Sequence, residues 1–244
     1  MSPSRDLLSQ PVSSGVAVAS DGAVSGGRGA GDGRDGGSVR LPLRQAQKLF
    51  THNLLLEVAI EVFQRDGYVN ATVDQIVTEA SATRATFYQH FGGKIDVIRA
   101  ILDENHRAGA QMMGAAVARW RAGGGSADVS SWLNSCFEWY EARRGTLQAI
   151  DDAAAEDRTI RENRQDAMHV EIDVLADYLT EIESPVRPHY LYAIALLLEL
   201  DEFMRFWIVS RVPERLGRSI DRDEALELLT RIWCDALLIP LDAP

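Results

Sequence analysis

The run Thr72-Val73-Asp74-Gln75-Ile76-Val77-Thr78-Glu79-Ala80-Ser81-Ala82-Thr83-Arg84-Ala85-Thr86-Phe87-Tyr88-Gln89-His90-Phe91-Gly92-Gly93-Lys94 governs the reading of this 244-residue chain. Val73, Ile76, Val77 and Ala80 fall at i, i+3, i+4 and i+7, which lays one apolar stripe along a short helix with Thr72 as its N-cap. Ser81 and Ala82 leave room only for a tight turn. A second short helix begins after the next good cap, Thr83, and turns Phe87 and Phe91 inward. Two helices joined so closely make a helix-turn-helix, whose second member can lie in a major groove of double-stranded DNA.

The outward set on the second helix suits nucleic acid in kind as well as in position: Thr83, Arg84, Ala85, Thr86, Tyr88, Gln89 and His90. Arg84 can pair with a guanine edge or a phosphate. Thr83 and Thr86 are short donors for a base edge, while Tyr88, His90 and Lys94 can reach phosphates. Thr72 at the start of the first helix, and Arg44 with Gln47 and Lys48 well upstream, complete the residues expected at DNA. Periodicity alone fits any pair of amphipathic helices equally well.

The chain resembles the TetR-type one-component transcriptional regulators. The matching residues are Ala59 and Phe63, Gly67-Tyr68, Thr72-Val73, Ile76-Val77, Ala80, Thr83, Phe87-Tyr88, His90-Phe91 and Lys94. The resemblance is specific from about Leu55 to Leu102 and elsewhere extends only to length and helical layout. Two positions depart from the family pattern. Ser81 stands where the family usually has glycine, which implies strain in the turn or a slightly different angle between the helices, and Ala82 is smaller than the usual valine. The resemblance implies an all-α protein, with an N-terminal three-helix DNA-binding domain and a C-terminal helical domain for ligand binding and dimerisation.

A net charge of −11 sits awkwardly with phosphate contact. Its distribution explains it. Residues 40–107 carry eight basic and eight acidic side chains, so the acidity belongs to the C-terminal part, where it keeps DNA off surfaces not meant to touch it. No apolar run approaches the roughly 20 residues a spanning helix needs, and no leader pattern opens the chain. The protein is therefore expected in the cytoplasm, away from membranes. Cys136 and Cys234 lie far apart among apolar neighbours and read as buried thiols rather than as a disulfide or metal site.

Residues 1–39 are rich in Gly, Ser, Ala and Asp without apolar periodicity, and are expected to be disordered. The DNA-binding domain is assigned to residues 40–93 and the ligand-binding and dimerisation domain to 94–244. A first helix is expected from Arg44 to Asp66, with Leu55, Ala59, Val62 and Phe63 inward and Gly67 ending it. After Gly92-Gly93, Lys94 opens a fourth helix, which the resemblance makes the lever between the two domains. Gly109 and Gly114 suggest a bend just beyond it. Apolar residues recur over 110–120, and further helices are expected over residues 130–144, 147–158, 159–183, 188–211 and 221–238, about nine in all.

The aromatic density of residues 130–144 exceeds what one stripe requires, so these side chains either fill ordinary core or wall a cavity. Such a pocket would be lined by Met113, Val117, Trp132, Cys136, Trp139, Tyr140, Met168, Ile172 and Leu175, and would take a small, largely apolar molecule. Residues 188–211 are apolar nearly all the way round. With the last helix they would form a four-helix bundle in a homodimer through Leu196, Leu200, Phe203, Met204, Trp207, Leu229 and Trp233, as the family resemblance implies. A wholly intramolecular core is the other reading of the same pattern.

The reading of the whole is a ligand-responsive transcriptional regulator, most often a repressor in this family, binding a palindromic operator as a homodimer and released by a small effector. No cofactor is called for. An enzyme using Asp151, Asp152 or His169 would lack a nucleophile and base at any recognisable spacing. A constitutive DNA-binding module without an effector keeps the same fold.

Overall fold

The computed structural model of the protein describes residues 42–166 and 168–241. The glycine-rich stretch 1–39 lies outside them. Among the described residues all regular structure is helical: α1 Leu43–Asp66, α2 Val73–Glu79, α3 Arg84–His90, α4 Lys94–Arg121, α5 Ser126–Ala142, α6 Arg144–Glu156, α7 Arg158–Asp166, α8 His169–Glu181, α9 His189–Met204 continued by a π turn over Arg205–Val209, α10 Val212–Arg215 and α11 Arg222–Ala236.

Local chemistry accounts for the short helices. Thr72 and Gln75 form a capping box on α2: the Gln75 amide N–H donates to Thr72 Oγ1 at 3.2 Å, and the Thr72 amide N–H donates to Gln75 Oε1 at 2.8 Å. The helix ends in a Schellman turn, with Ala82 N–H donating to the Val77 carbonyl at 2.8 Å and Ser81 N–H to the Thr78 carbonyl at 3.2 Å. The turn forces Ser81 to φ 51°, a left-handed conformation that an L side chain adopts at a cost. The strain expected of a serine at the family's glycine position is therefore present. Thr83 then caps α3 by accepting from Thr86 N–H at 3.0 Å.

Two cores result. The first joins Leu55, Ala59, Val62 and Phe63 of α1 with Ile76 and Val77 of α2, Phe87 of α3, and Val97, Ile98, Ile101 and Leu102 of α4; Leu147, Ile150 and Ala153 of α6 and Ile160 of α7 close it. The second joins the far half of α4 with α5, α8, α9 and α11 around Trp120, Trp132, Phe137, Leu175, Leu197 and Trp233. Packing thus places the first half of α4, α6 and Ile160 of α7 with the helix-turn-helix.

Three expectations about helices require correction. The fourth helix and the apolar stretch 110–120 form one element, because α4 runs through Gly109 and Gly114 without interruption; packing on both cores outweighs the roughly 1 kcal/mol that each glycine costs. The long helix expected over residues 159–183 is divided, with α7 ending at Asp166 and α8 starting at His169 after Met168 adopts φ −87°, ψ 8°. The helix expected to reach Arg211 changes to π geometry at Arg205.

The expected dimer face is also inside the chain. Leu196, Leu200, Met204, Leu229 and Trp233 are buried in this chain's own second core, Met204 at 0% and Trp233 at 1% exposure, and Phe203 and Trp207 pack against it half-buried. Trp207 meets Phe137 with ring centroids 5.2 Å apart, and Trp233 meets Trp132 at 4.6 Å. On α9 the outward apolar residues are Tyr190, Leu191 and Leu198, followed by Phe206 in the π turn, with Leu198 and Phe206 each 49% exposed.

Candidate nucleic-acid interface and internal cavity

Phe87 anchors α3: its ring is fully buried and lies 5.6 Å from that of Phe91. Burying that side leaves Arg84, Ala85, Tyr88 and Gln89 exposed, with Thr86 and His90 half-buried. Thr83 is exposed, but it shares a hydrogen with the Thr86 hydroxyl at 2.9 Å in addition to its capping role. Thr72 is likewise exposed and engaged with Gln75. Arg44 is exposed in the first turn of α1. His90 lies beside His52, ring centroids 5.8 Å apart; burial first, then His52 and Lys48, hold its imidazole below the usual range.

Arg84 is not idle. Its guanidinium grips Asp74 of α2 through two hydrogen bonds, Nε to Oδ1 and Nη2 to Oδ2, the latter at 2.6 Å. The Arg84 hydrogen bond pushes the Asp74 carboxyl below its usual range, and Asp74 in turn raises Arg84. A second exposed arginine, Arg65, holds α1 to α2 through Glu79 at 2.8 and 3.0 Å.

The structure gives Lys94 a different task from the phosphate contact expected of it. Its ammonium donates to the carbonyls of Tyr68 and Ala71, both at 2.7 Å, and of Val69 at 3.4 Å, and it sits 4.6 Å from the centre of the Tyr68 ring. All three protons are thus spent on the loop between α1 and α2. Lys94→Ala is expected to lower stability in urea unfolding by about 1–3 kcal/mol, because it strands charge-assisted hydrogen bonds, while leaving the slope of log affinity against log salt unchanged. Loss of about one unit of that slope would restore the phosphate contact.

In the second core lies a cavity of about 540 Å³. Of the residues expected to line it, Met113, Trp132, Cys136, Trp139, Tyr140, Met168 and Ile172 do so. Val117 and Leu175 do not: both are fully buried in side-chain packing. Leu200, expected at the dimer face, lines the cavity instead, and Leu198 and Glu202 stand at its exposed rim. Leu102, Leu147 and Ile150 line it too, and these belong to the first core, so the cavity is walled in part by residues that support the helix-turn-helix. Burial pushes the Cys136 thiol up to about 12, which makes it an inert apolar group.

The polar lining was not foreseen. Around the π turn, Arg205 donates to Asp201 at 2.9 Å and to Asp151 at 2.8 Å, Arg164 donates to Asp151 at 2.8 Å, and Tyr140 donates to Asp201. Asp151 is therefore an ion-pair centre joining α6 to α7 and the π turn. Asp157 accepts from the amides of Thr159 and Ile160 at the start of α7. Between α4 and α8 the arrangement differs: Asn105 Nδ2, His106 Nε2, Trp139 Nε1 and Glu171 Oε2 are buried without hydrogen-bond partners, and all four residues line the cavity. Gly109, one turn beyond Asn105 and His106, makes room for the Glu171 carboxylate, which a Cβ there would strike. The available signal was that Asn105, His106, Gly109 and Met112 share one face of α4. Among the described residues, no group of three His, Cys, Asp or Glu is arranged to hold a metal, and no helix is long and apolar enough to cross a membrane.

The arrangement is a helix-turn-helix that leaves one face of α3 exposed, followed by further helices around a cavity. Residues 55–101 match the model of the bacterial regulatory proteins of the tetR family. It is 42% identical over 52 residues to the uncharacterized HTH-type transcriptional regulator TtgW of Pseudomonas putida, a stretch covering 21% of this chain and 39% of that protein. It is 42% identical over 52 residues to the HTH-type transcriptional regulator SrpR of the same species, covering 21% of this chain and 24% of that one. The likeness thus spans well under half the length of these relatives. The fold is similar to that of the transcriptional regulator FadR from Bacillus subtilis, solved in complex with stearoyl-CoA. There the TM-score is 0.58 at 15% identity, over 74% of this chain and 96% of that one.

Proposed function

We propose that the protein is a homodimeric, effector-released repressor, reading a palindromic operator with α3. The observation that carries this is structural continuity: α4 contributes Val97, Ile98, Ile101 and Leu102 to the core behind the recognition helix and Asn105, His106 and Met113 to the cavity wall. Gln64 of α1 donates to Thr146 of α6 at 2.9 Å, a second link between the reader and the helix that supplies Leu147 and Ile150 to the cavity. A molecule that fills the cavity therefore shifts the reader by as much as it prefers one arrangement of these helices over another. In a dimer the two recognition helices would meet successive major grooves about 34 Å apart.

The test is a gel shift at stated salt with the promoter region of its own and neighbouring genes. Saturable, sequence-specific retention supports the reading, and retention that any DNA competes away equally removes it.

The second copy is assigned to the outward face of α9 and the π turn, because Leu191, Leu198 and Phe206 are large apolar groups left uncovered there. Leu191→Glu combined with Phe206→Glu is expected to yield a folded monomer by light scattering. Its operator affinity should fall roughly a hundredfold or more, since two linked reading heads bind far tighter than one. A double variant that remains dimeric would move the interface elsewhere.

A further inference from the structure

The two halves of the cavity's polar lining are differently satisfied, and the difference bears on what fits inside. At the π turn both arginines are neutralised: Arg205 is held by Asp201 and Asp151, and Arg164 by Asp151. An anionic ligand would have to displace a carboxylate from a partly buried ion-pair network to reach either of them. Across the cavity, Glu171 is buried, one of its carboxylate oxygens has no partner, and Asn105, His106 and Trp139 each present a buried nitrogen without one. A native interior seldom leaves four such groups together, and each has a cost unless something supplies the missing bond. Burial pushes the Glu171 carboxyl up, against a smaller lowering by nearby His169, and burial pushes the His106 imidazole down. Trp132, Trp139 and Tyr140 line the same space with aromatic faces and edges.

On the reading that this cavity is the effector site, we propose that its ligand is an apolar, ring-containing amine, whose ammonium group pairs with Glu171 and whose neighbouring oxygen accepts from Asn105 or Trp139. An ammonium is the group that turns an unpartnered buried carboxylate into a stabilised pair. The aromatic wall favours a cation and a flat ring in the same way. Gly109 keeps open the space the carboxylate needs, so the helix carries a glycine where a better helix former would close it.

The experiment is calorimetric titration of the full chain at pH 7 with three probes that share one ring system: 2-naphthylmethylamine, 2-naphthylmethanol and 2-naphthoate. The amine is expected to bind about tenfold or more tighter than the alcohol, as a charge-assisted hydrogen bond exceeds a neutral one, and the naphthoate most weakly. Glu171→Gln should bring the amine down to the level of the alcohol while leaving the alcohol unchanged. Gly109→Ala, which crowds the carboxylate without altering charge, should weaken the amine selectively. Naphthoate binding as tightly as the amine, an amine affinity indifferent to Glu171→Gln in folded protein, or no measurable amine binding would each overturn the assignment. Operator binding followed in parallel separates the two readings. An amine bound through Glu171 that leaves operator affinity unchanged keeps the ligand class and removes the effector role, whereas release by naphthoate alone does the reverse.

Discussion

Phe87→Ala is expected to destabilise the protein by about 3–5 kcal/mol, the range for deleting a fully buried aromatic ring, and with it to abolish operator binding. Phe87 is 0% exposed and is the α3 side chain that reaches the first core, where it meets Ile76 and Val77 of α2 and the α1 and α4 residues behind them. Without the ring, α3 is left with its Thr83 cap, the Phe91 contact and the exposed Arg84–Asp74 pair, and a seven-residue helix is not stable alone. Urea unfolding followed by circular dichroism, with a gel shift on the same sample, checks both halves. A loss below about 1 kcal/mol would mean that the cavity refills from neighbouring side chains.

Arg84→Ala is expected to reduce operator affinity about tenfold or more while changing affinity for unrelated DNA far less, because a bidentate base contact discriminates and a phosphate contact does not. The paired variant is Asp74→Asn. Removing the carboxylate that holds the guanidinium should tighten binding to all DNA and steepen its salt dependence. Filter binding across a salt series with operator and scrambled duplex distinguishes these outcomes. Equal losses from Arg84→Ala on both duplexes would reduce Arg84 to a backbone contact.

The helix-turn-helix was readable because its causes are local. Thr72 with Gln75, Thr83 with Thr86, and the strained Ser81 are interactions within four residues, and the inward set Ile76, Val77 and Phe87 follows helical period. Residues whose roles depend on distant partners were not readable. Lys94 lies after a glycine pair, where nothing in the neighbouring sequence shows that the Tyr68 and Ala71 carbonyls will converge on it. On α9, apolar residues on almost every side conceal which stripe faces inward. Leu196, Leu200 and Met204 therefore looked as available to a second copy as Leu198 and Phe206, and the helices they pack against decide otherwise. Met113, Trp132, Trp139 and Tyr140 could be named as cavity lining from the sequence, though the same aromatic run fitted ordinary core equally well. Its polar cluster was not, since Asn105, His106 and Glu171 look like ordinary surface positions until α4 and α8 are brought together.

The clasp between Arg84 and Asp74 bears on how the protein behaves among the great excess of wrong sequences. If α3 reads DNA as proposed, the Asp74 carboxylate would act as an internal decoy for the nucleic-acid backbone, so an arbitrary duplex would offer Arg84 little beyond the anion it must relinquish. Only a site that adds base-edge complementarity makes the exchange favourable, and idle sticking along the chromosome is discouraged before any groove is entered.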